Sequence, residues 1–171
     1  MATPTAAPTA PARTVPDLSF LLDHTSHVLA TRMAAAFAEI GSTPRAYCVL
    51  MHALSGEFTQ IELAAMSDLD KTTMVVTLDE LEAAGHAERH PSPTDRRARI
   101  VRVTAAGRKA VEVGTAIADR VHREVLEELP PKQREGLVEA LQALARGPLA
   151  EPVEGGAQQV RRARRARQAA G

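Results

Sequence analysis

The stretch TQIELAAMSDLDKTTMVVTLDELEAAG, residues Thr59–Gly85, carries most of the information about the fold. Thr59 is of a type that caps helices, and it precedes a predicted helix over residues 60–66. Asp70 can cap a second helix over residues 71–84, which a glycine then ends. Two short helices separated by so few residues are typical of a helix-turn-helix.

A basic hairpin is predicted directly after these helices. Residues 87–90 and 99–103 are short extended candidates, and the link over residues 91–97 contains two prolines and no apolar side chain. Residues 89–109 hold seven basic residues against Asp95 alone, a net charge of +6. Two helices followed by a hairpin form a winged helix-turn-helix, and the local charge indicates a footprint for a polyanion. On charge alone, incidental clustering on a solvated surface is an equally good interpretation.

Longer helical segments flank this unit. Apolar residues recur at steps of three and four from Leu18 to Ile40, and Gly41 is placed to end that helix. Thr43-Pro44 then predicts the start of a helix that runs to about Leu54. After the hairpin, Thr104 can cap a helix that reaches Pro130-Pro131, and one more helix ends near Gly147. The predicted fold class is therefore mainly α (α+β), with the order four helices, a hairpin and two helices.

Composition excludes several classes of protein. The chain has 171 residues and one cysteine, which rules out an internal disulfide framework and a Cys-rich zinc module. The longest apolar runs, Met33–Ala38 and Ala46–Met51, are far shorter than the ~20 residues of a membrane span. No signal peptide is recognised, so a cytoplasmic protein without a membrane partner is expected. No catalytic constellation and no cofactor motif is recognised either, so we do not expect an enzyme.

The second helix of the pair has one face suited to DNA. On a helical wheel its buried side holds Met74, Leu78, Leu81 and Gly85. Small hydroxylated residues at the start of such a helix let the backbone approach the bases, and Thr72 and Thr73 meet that need. Val76 is either a contact for a thymine methyl group or an ordinary exposed valine. Gln60 begins the preceding helix, where a phosphate can sit.

The hairpin tip supplies a second expected contact. Asp95 can brace the guanidinium of Arg97 by an ion pair, which would aim Arg96 or Arg97 into a minor groove. A charged turn that only aids solubility is the alternative. The complete set of candidate DNA-binding residues is Gln60, Lys71, Thr72, Thr73, Val76, Asp95, Arg96, Arg97 and Arg99.

The sequence resembles the MarR family of winged-helix regulators over about residues 17–146. The resemblance is carried by the runs Thr59–Ala64, Leu69–Met74, Leu78–Glu82, Asp95–Arg99 and Val103–Arg108. It implies a homodimer whose first, fifth and sixth helices interlock, and a regulator, expected to be a repressor, of a palindromic operator in double-stranded DNA. It also implies release by a small-molecule effector. Val76, where many relatives carry a polar or basic residue, and the arginines of residues 161–167 depart from the family pattern.

The resemblance also divides the chain into segments. We expect a disordered leader over residues 1–16, a folded domain over 17–146, and a linker with an Arg-rich tail over 147–171. Within the domain, the winged helix-turn-helix covers about residues 43–104. The dimerisation helices cover about residues 17–40 and 104–146.

Several residues of the first two helices are candidates for effector binding. In this family the effector is often an anionic aromatic molecule, and the candidate residues are His24, His27, Arg45, Tyr47 and Met51. The pairs His24/His27 and Cys48/His52 each share a helix face and could in principle hold zinc. Cys48 could also sense oxidants, with Arg45 lowering its pKa. Against a zinc site we prefer ordinary structural histidines, and against an oxidant sensor we prefer a buried, inert cysteine, so we expect no metal site.

A protein–protein adaptor is the alternative function from another class. In an adaptor of this kind the hairpin and the second short helix would contact a protein partner. The basic tip and the threonines at the start of the helix favour DNA instead.

Overall fold

The computed structural model describes residues 14–93, Asp95, residues 98–151 and Val153. Along the chain its elements are α1 Leu18–Ala38, α2 Pro44–Leu54, β1 Phe58–Thr59, α3 Gln60–Met66, α4 Lys71–Ala83, β2 Ala87–Pro91, β3 Arg99–Val103, α5 Ala105–Glu127 and α6 Pro131–Arg146. The predicted fold class, a mainly helical winged helix-turn-helix, is confirmed. The chain divides after Val121 into two compact units. No helix of the described residues is long and apolar enough to cross a bilayer.

Short polar side chains start the helices of the first unit, as predicted. The Thr43 hydroxyl accepts a hydrogen bond from Ala46 N at 3.1 Å, and Pro44 occupies the first turn of α2. The Thr104 hydroxyl accepts from Gly107 N at 3.0 Å at the start of α5. Each cap satisfies a backbone N–H that has no partner inside the helix.

Three helices end in the same hydrogen-bonded motif. After α1, Gly41 N donates to Ala38 O at 3.0 Å and the next N–H reaches back to Phe37 O at 3.1 Å. The predicted helix ends at Gly41 and Gly85 are confirmed, with φ of 64° and 70°. Gly85 was however wrongly assigned to the buried face of α4, because it follows the helix and is exposed. The end of α3 uses a residue that was not predicted, Asp68, with φ of 49°.

The hairpin belongs to a three-stranded antiparallel sheet with the order β1-β3-β2. The two predicted strands are confirmed, with β2 one residue longer than expected. Strand β1 was not predicted, because a two-residue strand has no periodicity to detect. It pairs Phe58 with Val101 and so connects the β2–β3 hairpin, which we call the wing, to the start of α3.

The core of the first unit is built by α2, α3, α4, the sheet and Val111 of α5. Leu63, Leu78 and Val49 have no exposed side-chain surface, and Met74 and Val101 are each 1% exposed. These aliphatic side chains fix α4 against the helices before it. The core therefore determines which face of α4 is presented to solvent.

Candidate nucleic-acid interface

The first turn of α4 is closed by its own cap. Asp70 Oδ1 accepts hydrogen bonds from Thr72 N and Thr73 N, each at 3.0 Å. Asp70 Oδ2 accepts a third hydrogen bond, from the Thr73 hydroxyl, at 3.1 Å. The N–H groups that could have bound a phosphate are thus used by a carboxylate, and the Thr73 hydroxyl proton is used as well.

The outward face of α4 is made by Lys71, Thr72 and Val76. Lys71 and Thr72 are exposed, and Val76 keeps 48% of its surface exposed. Thr73 is half-buried, and its carbonyl accepts from the buried Thr77 hydroxyl at 2.8 Å. Of the two predicted base-reading threonines, Thr72 is therefore the better exposed.

Helix α3 begins with a capping box. Thr59 N donates to Glu62 Oε2 at 2.7 Å, and Glu62 N donates to the Thr59 hydroxyl at 3.3 Å. The hydrogen bond from the Thr59 backbone lowers the pKa of Glu62. Gln60, the predicted phosphate contact, is half-buried in the first turn of this helix.

The wing closes with a compact turn. Ser92 N donates to Ala98 O at 3.1 Å, Ala98 N donates to Asp95 O at 3.0 Å, and Asp95 N donates to the Ser92 hydroxyl at 3.3 Å. Arg99 is exposed on β3. Arg96 and Arg97 lie outside the described residues, so the expected ion pair between Asp95 and Arg97 stays a prediction.

A clamp of three charged residues joins the wing to α4. Arg89 Nε donates to Glu82 Oε2 at 2.9 Å, and Arg89 Nη2 donates both to Asp79 Oδ1 at 2.6 Å and to Glu82 Oε2. Arg89 N also donates to Glu82 Oε1, at 2.8 Å. The side-chain hydrogen bond from Arg89 lowers the pKa of Glu82, and the same bond raises the pKa of Arg89. This clamp was not predicted from the sequence.

The clamp changes the interpretation of the basic segment. Arg89 is held by two carboxylates of α4, and Arg102 forms an ion pair with Glu57 at 2.8 Å. At least two of the basic side chains of residues 89–109, Arg89 and Arg102, are therefore paired with acids of the same chain. The positive charge available to a polyanion is smaller than the sequence count suggests.

The comparisons with known proteins agree with this geometry. Residues 40–98 match the model of the MarR family. A MarR-family transcriptional regulator from Rhodococcus sp. RHA1 is 28% identical, with a TM-score of 0.69 over 75% of this chain and 92% of that one. This chain is thus similar to MarR-family transcriptional regulators.

Two structures of CouR extend the comparison. CouR from Rhodococcus jostii RHA1, bound to p-coumaroyl-CoA, is 28% identical with a TM-score of 0.65, covering 81% of this chain and 96% of CouR. The repressor CouR bound to a 23-mer DNA duplex is 26% identical with a TM-score of 0.68, covering 75% and 92%.

The predicted effector residues lie on α1 and α2. Tyr47 is half-buried, stacks against Phe37 with ring centroids 5.3 Å apart, and shares a hydrogen bond with the Thr115 hydroxyl at 3.2 Å. His24 is exposed and stacks on Phe20 at 5.5 Å. The other three candidates, His27, Arg45 and Met51, are exposed. In the described part of the chain, no hydrogen bond, ion pair or ring contact joins any two of the five.

The alternative metal and thiol sites have little geometric support. Among the described residues, no group of three or more histidine, cysteine or acidic side chains is arranged to hold a metal ion. Cys48 is a free thiol and is half-buried on α2. The preference for structural roles of these residues stays a prediction.

Proposed function

We propose that this MarR-family protein is a cytoplasmic, non-enzymatic repressor that binds a palindromic DNA operator as a homodimer and is released by a small molecule. The observation that carries the proposal is the exposed face formed by Lys71, Thr72 and Val76 on a helix that the core holds rigidly. A recognition helix presents its amino-terminal residues to the major groove. CouR, which shares this fold at 26% identity, is bound to a DNA duplex in one of its structures.

The closed cap of α4 shapes how bases would be read. Asp70 occupies the N–H groups of the first turn, so recognition relies on side chains. Thr72 can donate to and accept from base edges, and Val76 can contact a thymine methyl group. We propose Gln60, Lys71 and Arg99 as phosphate or groove contacts, with Arg96 and Arg97 at the wing tip and Asp95 bracing them.

Exposed apolar faces support the homodimer. On α1, Leu18, Phe20 and Leu21 are 51%, 61% and 49% exposed. On α6, Leu137 and Leu141 are each 42% exposed, and no residue of that helix is buried. We propose residues 17–40 and 104–146 as the dimerisation helices and residues 43–104 as the DNA-reading unit. We keep residues 1–16 as a leader and 147–171 as a linker and tail outside this assembly.

Release by a small molecule is the second half of the proposal. CouR is bound to p-coumaroyl-CoA in one of its structures. We propose His24, His27, Arg45, Tyr47 and Met51 as effector contacts on α1 and α2. An effector changes DNA affinity only to the extent that it binds the DNA-competent and DNA-incompetent dimers unequally.

Selection of bound fragments from the source genome tests the proposal. We expect enrichment of a sequence with two-fold symmetry, with half-sites about 34 Å apart or a multiple of that spacing. Absence of any preferred fragment at moderate salt would contradict the proposal, as would a protein that stays monomeric in solution.

Substitutions then distinguish the base contacts of α4 from the contacts of the wing. Thr72→Ala should relax the preference at one base pair by about 1–3 kcal/mol. Arg97→Ala should weaken binding to all sequences and reduce its salt dependence. Arg146→Ala, an exposed arginine at the end of α6, is the matched control and should leave binding unchanged.

A further inference from the structure

The clamp of Arg89, Glu82 and Asp79 holds the backbone of the wing as well as a side chain. Glu82 Oε1 accepts a hydrogen bond from Arg89 N at 2.8 Å, while Glu82 Oε2 accepts one from Arg89 Nε at 2.9 Å. Both oxygens of this carboxylate are therefore used by one residue of β2. Because a backbone N–H belongs to a planar peptide and moves only with its strand, the clamp fixes the position of β2 itself.

The clamp is partly shielded from water. The side chains of Arg89 and Glu82 are 23% and 31% exposed, whereas that of Asp79 is 57% exposed. In the sheet Arg89 pairs with Val101, which is 1% exposed in the core. A guanidinium held by two carboxylates at the edge of the core forms stronger hydrogen bonds than an ion pair in full solvent. The clamp is therefore suited to hold the wing in one orientation.

The position of Arg89 along β2 gives the clamp leverage over the wing. The strand is anchored at its start, where His86 N donates to Leu81 O at 2.8 Å and His86 O accepts from Thr104 N at 3.0 Å. Arg89 lies three residues further on, about 10 Å away at the rise of an extended strand. Contacts at both places resist a rotation of the wing about the turn that follows α4.

The clamp also begins on the face of α4 that is proposed to read bases. Thr72, Val76 and Asp79 are spaced by four and three residues, which places them on one face of the helix. Asp79 Oδ1 accepts a hydrogen bond from Arg89 Nη2 at 2.6 Å, so this face is joined directly to β2. Two DNA contacts whose relative position is fixed before binding avoid the cost of ordering one of them on the duplex.

We propose that Arg89 is a positioning residue for DNA recognition. Held by Glu82 and Asp79, it orders the wing and sets its angle to the outward face of α4, so that both contact one duplex without rearrangement. The clamp contains two carboxylates and one guanidinium, so its effect comes from geometry and not from attraction to phosphate. The effect on DNA rests on the proposed function, whereas the ordering of the wing does not.

Glu82→Gln tests the proposal because charge and geometry predict opposite results. Loss of a negative charge near DNA should by itself strengthen binding, whereas a loosened wing should weaken it. We expect an affinity about 5-fold weaker for the selected operator fragment, measured by fluorescence anisotropy at fixed salt. Glu80→Gln is the matched control, because it removes the same charge from an exposed residue of the same helix, and its affinity should equal or slightly exceed that of the parent.

A double-mutant cycle shows whether the effect acts through the wing. In the Arg97→Ala background, which lacks the proposed wing contact, Glu82→Gln should weaken binding less than about 2-fold. Thr43→Ala, which removes the cap of α2, controls for a loss of stability alone and should leave the affinity unchanged. An equal loss from Glu82→Gln with and without Arg97 would overturn the positioning role.

Amide hydrogen exchange of the full chain measures the ordering of the wing without DNA. Exchange in β2 and β3 should be faster in Glu82→Gln than in the parent or in Glu80→Gln, and equal rates would overturn the ordering. If the parent prefers no DNA fragment, the proposed function is overturned, while faster exchange in Glu82→Gln still supports the ordering. If the parent selects a fragment that Glu82→Gln binds equally well or more tightly, only the positioning role is overturned.

Discussion

The DNA-reading unit buries a core of large apolar side chains, whereas α1 and α6 leave several of theirs exposed to solvent. In the unit formed by α2, α3, α4 and the sheet, Leu63 and Leu78 are fully buried. On α1 and α6, Phe20 and Leu137 keep 61% and 42% of their surface exposed. The first region completes its core within one chain. Phe37 of α1 is buried within the chain, but the exposed apolar residues of α1 and α6 gain burial only from another surface, which is consistent with the proposed dimer.

The largest expected effect tests burial directly. Leu78→Ala leaves a cavity in the core and should lower the free energy of unfolding by about 2–5 kcal/mol. The same truncation at Leu137, measured by urea unfolding at a protein concentration where dimers are dissociated, should cost less than about 1 kcal/mol. Equal losses at the two positions would contradict the contrast between the regions.

A charge on the apolar face of α6 should weaken the dimer. Leu141→Lys places an ammonium where the partner would have to bury it, twice in a two-fold dimer, and should raise the dimer dissociation constant by about 100-fold. Sedimentation equilibrium measures the change. Ala143→Lys, which lies on the opposite face of α6, is the control and should leave the constant within about threefold. An unchanged dimer for Leu141→Lys would exclude α6 from the interface.

The clamp between α4 and the wing should make stability depend on pH. The pKa of Glu82 in the folded protein is below its ordinary value of 4.5, because Arg89 donates hydrogen bonds to it. Its contribution is therefore complete above pH 4.5 and is lost as the pH falls through the lower folded value. Glu82→Gln should cost about 1–2 kcal/mol at pH 7 and less at pH 3, measured by urea unfolding.

A matched variant identifies the clamp as the source of that pH dependence. Glu135→Gln, an exposed glutamate of α6, should change stability little at either pH. If Glu82→Gln cost as much at pH 3 as at pH 7, the loss would come from packing and the ion pair would play no part.

The smallest expected effect concerns the turn of the helix-turn-helix. Asp68 has φ of 49°, a conformation that costs an L-residue energy and glycine almost none. Asp68→Gly should therefore be stable to within about 0.5 kcal/mol of the parent, whereas Asp68→Ala should lose about 1 kcal/mol. Thermal unfolding of the two variants checks this order. A more stable Asp68→Ala would show that the turn carries no strain.

Local interactions made most of the helices predictable. Three helices are capped by Thr43, Thr59 and Asp70, which accept hydrogen bonds from N–H groups two or three residues away. Because these bonds are so local, the neighbouring residues suffice to predict them. Gly41 and Gly85 end helices for an equally local reason, the left-handed conformation that they tolerate. The two strands of the wing were predictable because the helical spacing of apolar residues stops after Gly85, and two short extended segments flank a turn-rich link.

Interactions between distant parts of the chain needed the folded structure. Strand β1 forms because Phe58 pairs with Val101 of β3. Arg102 forms its ion pair with Glu57, which is 45 residues away in the sequence. The sequence counted Arg89 as free positive charge, but folding places it between Asp79 and Glu82. The Thr73 hydroxyl, which the sequence analysis predicts to read a base, donates to Asp70 Oδ2 in the folded chain, and its contact with a base stays a prediction.

Periodicity and capping thus determine where helices begin and end, because those signals act over a few residues of chain. Tertiary packing determines which charges are available to DNA, since that depends on side chains such as Arg89 and Glu82 that meet only after folding.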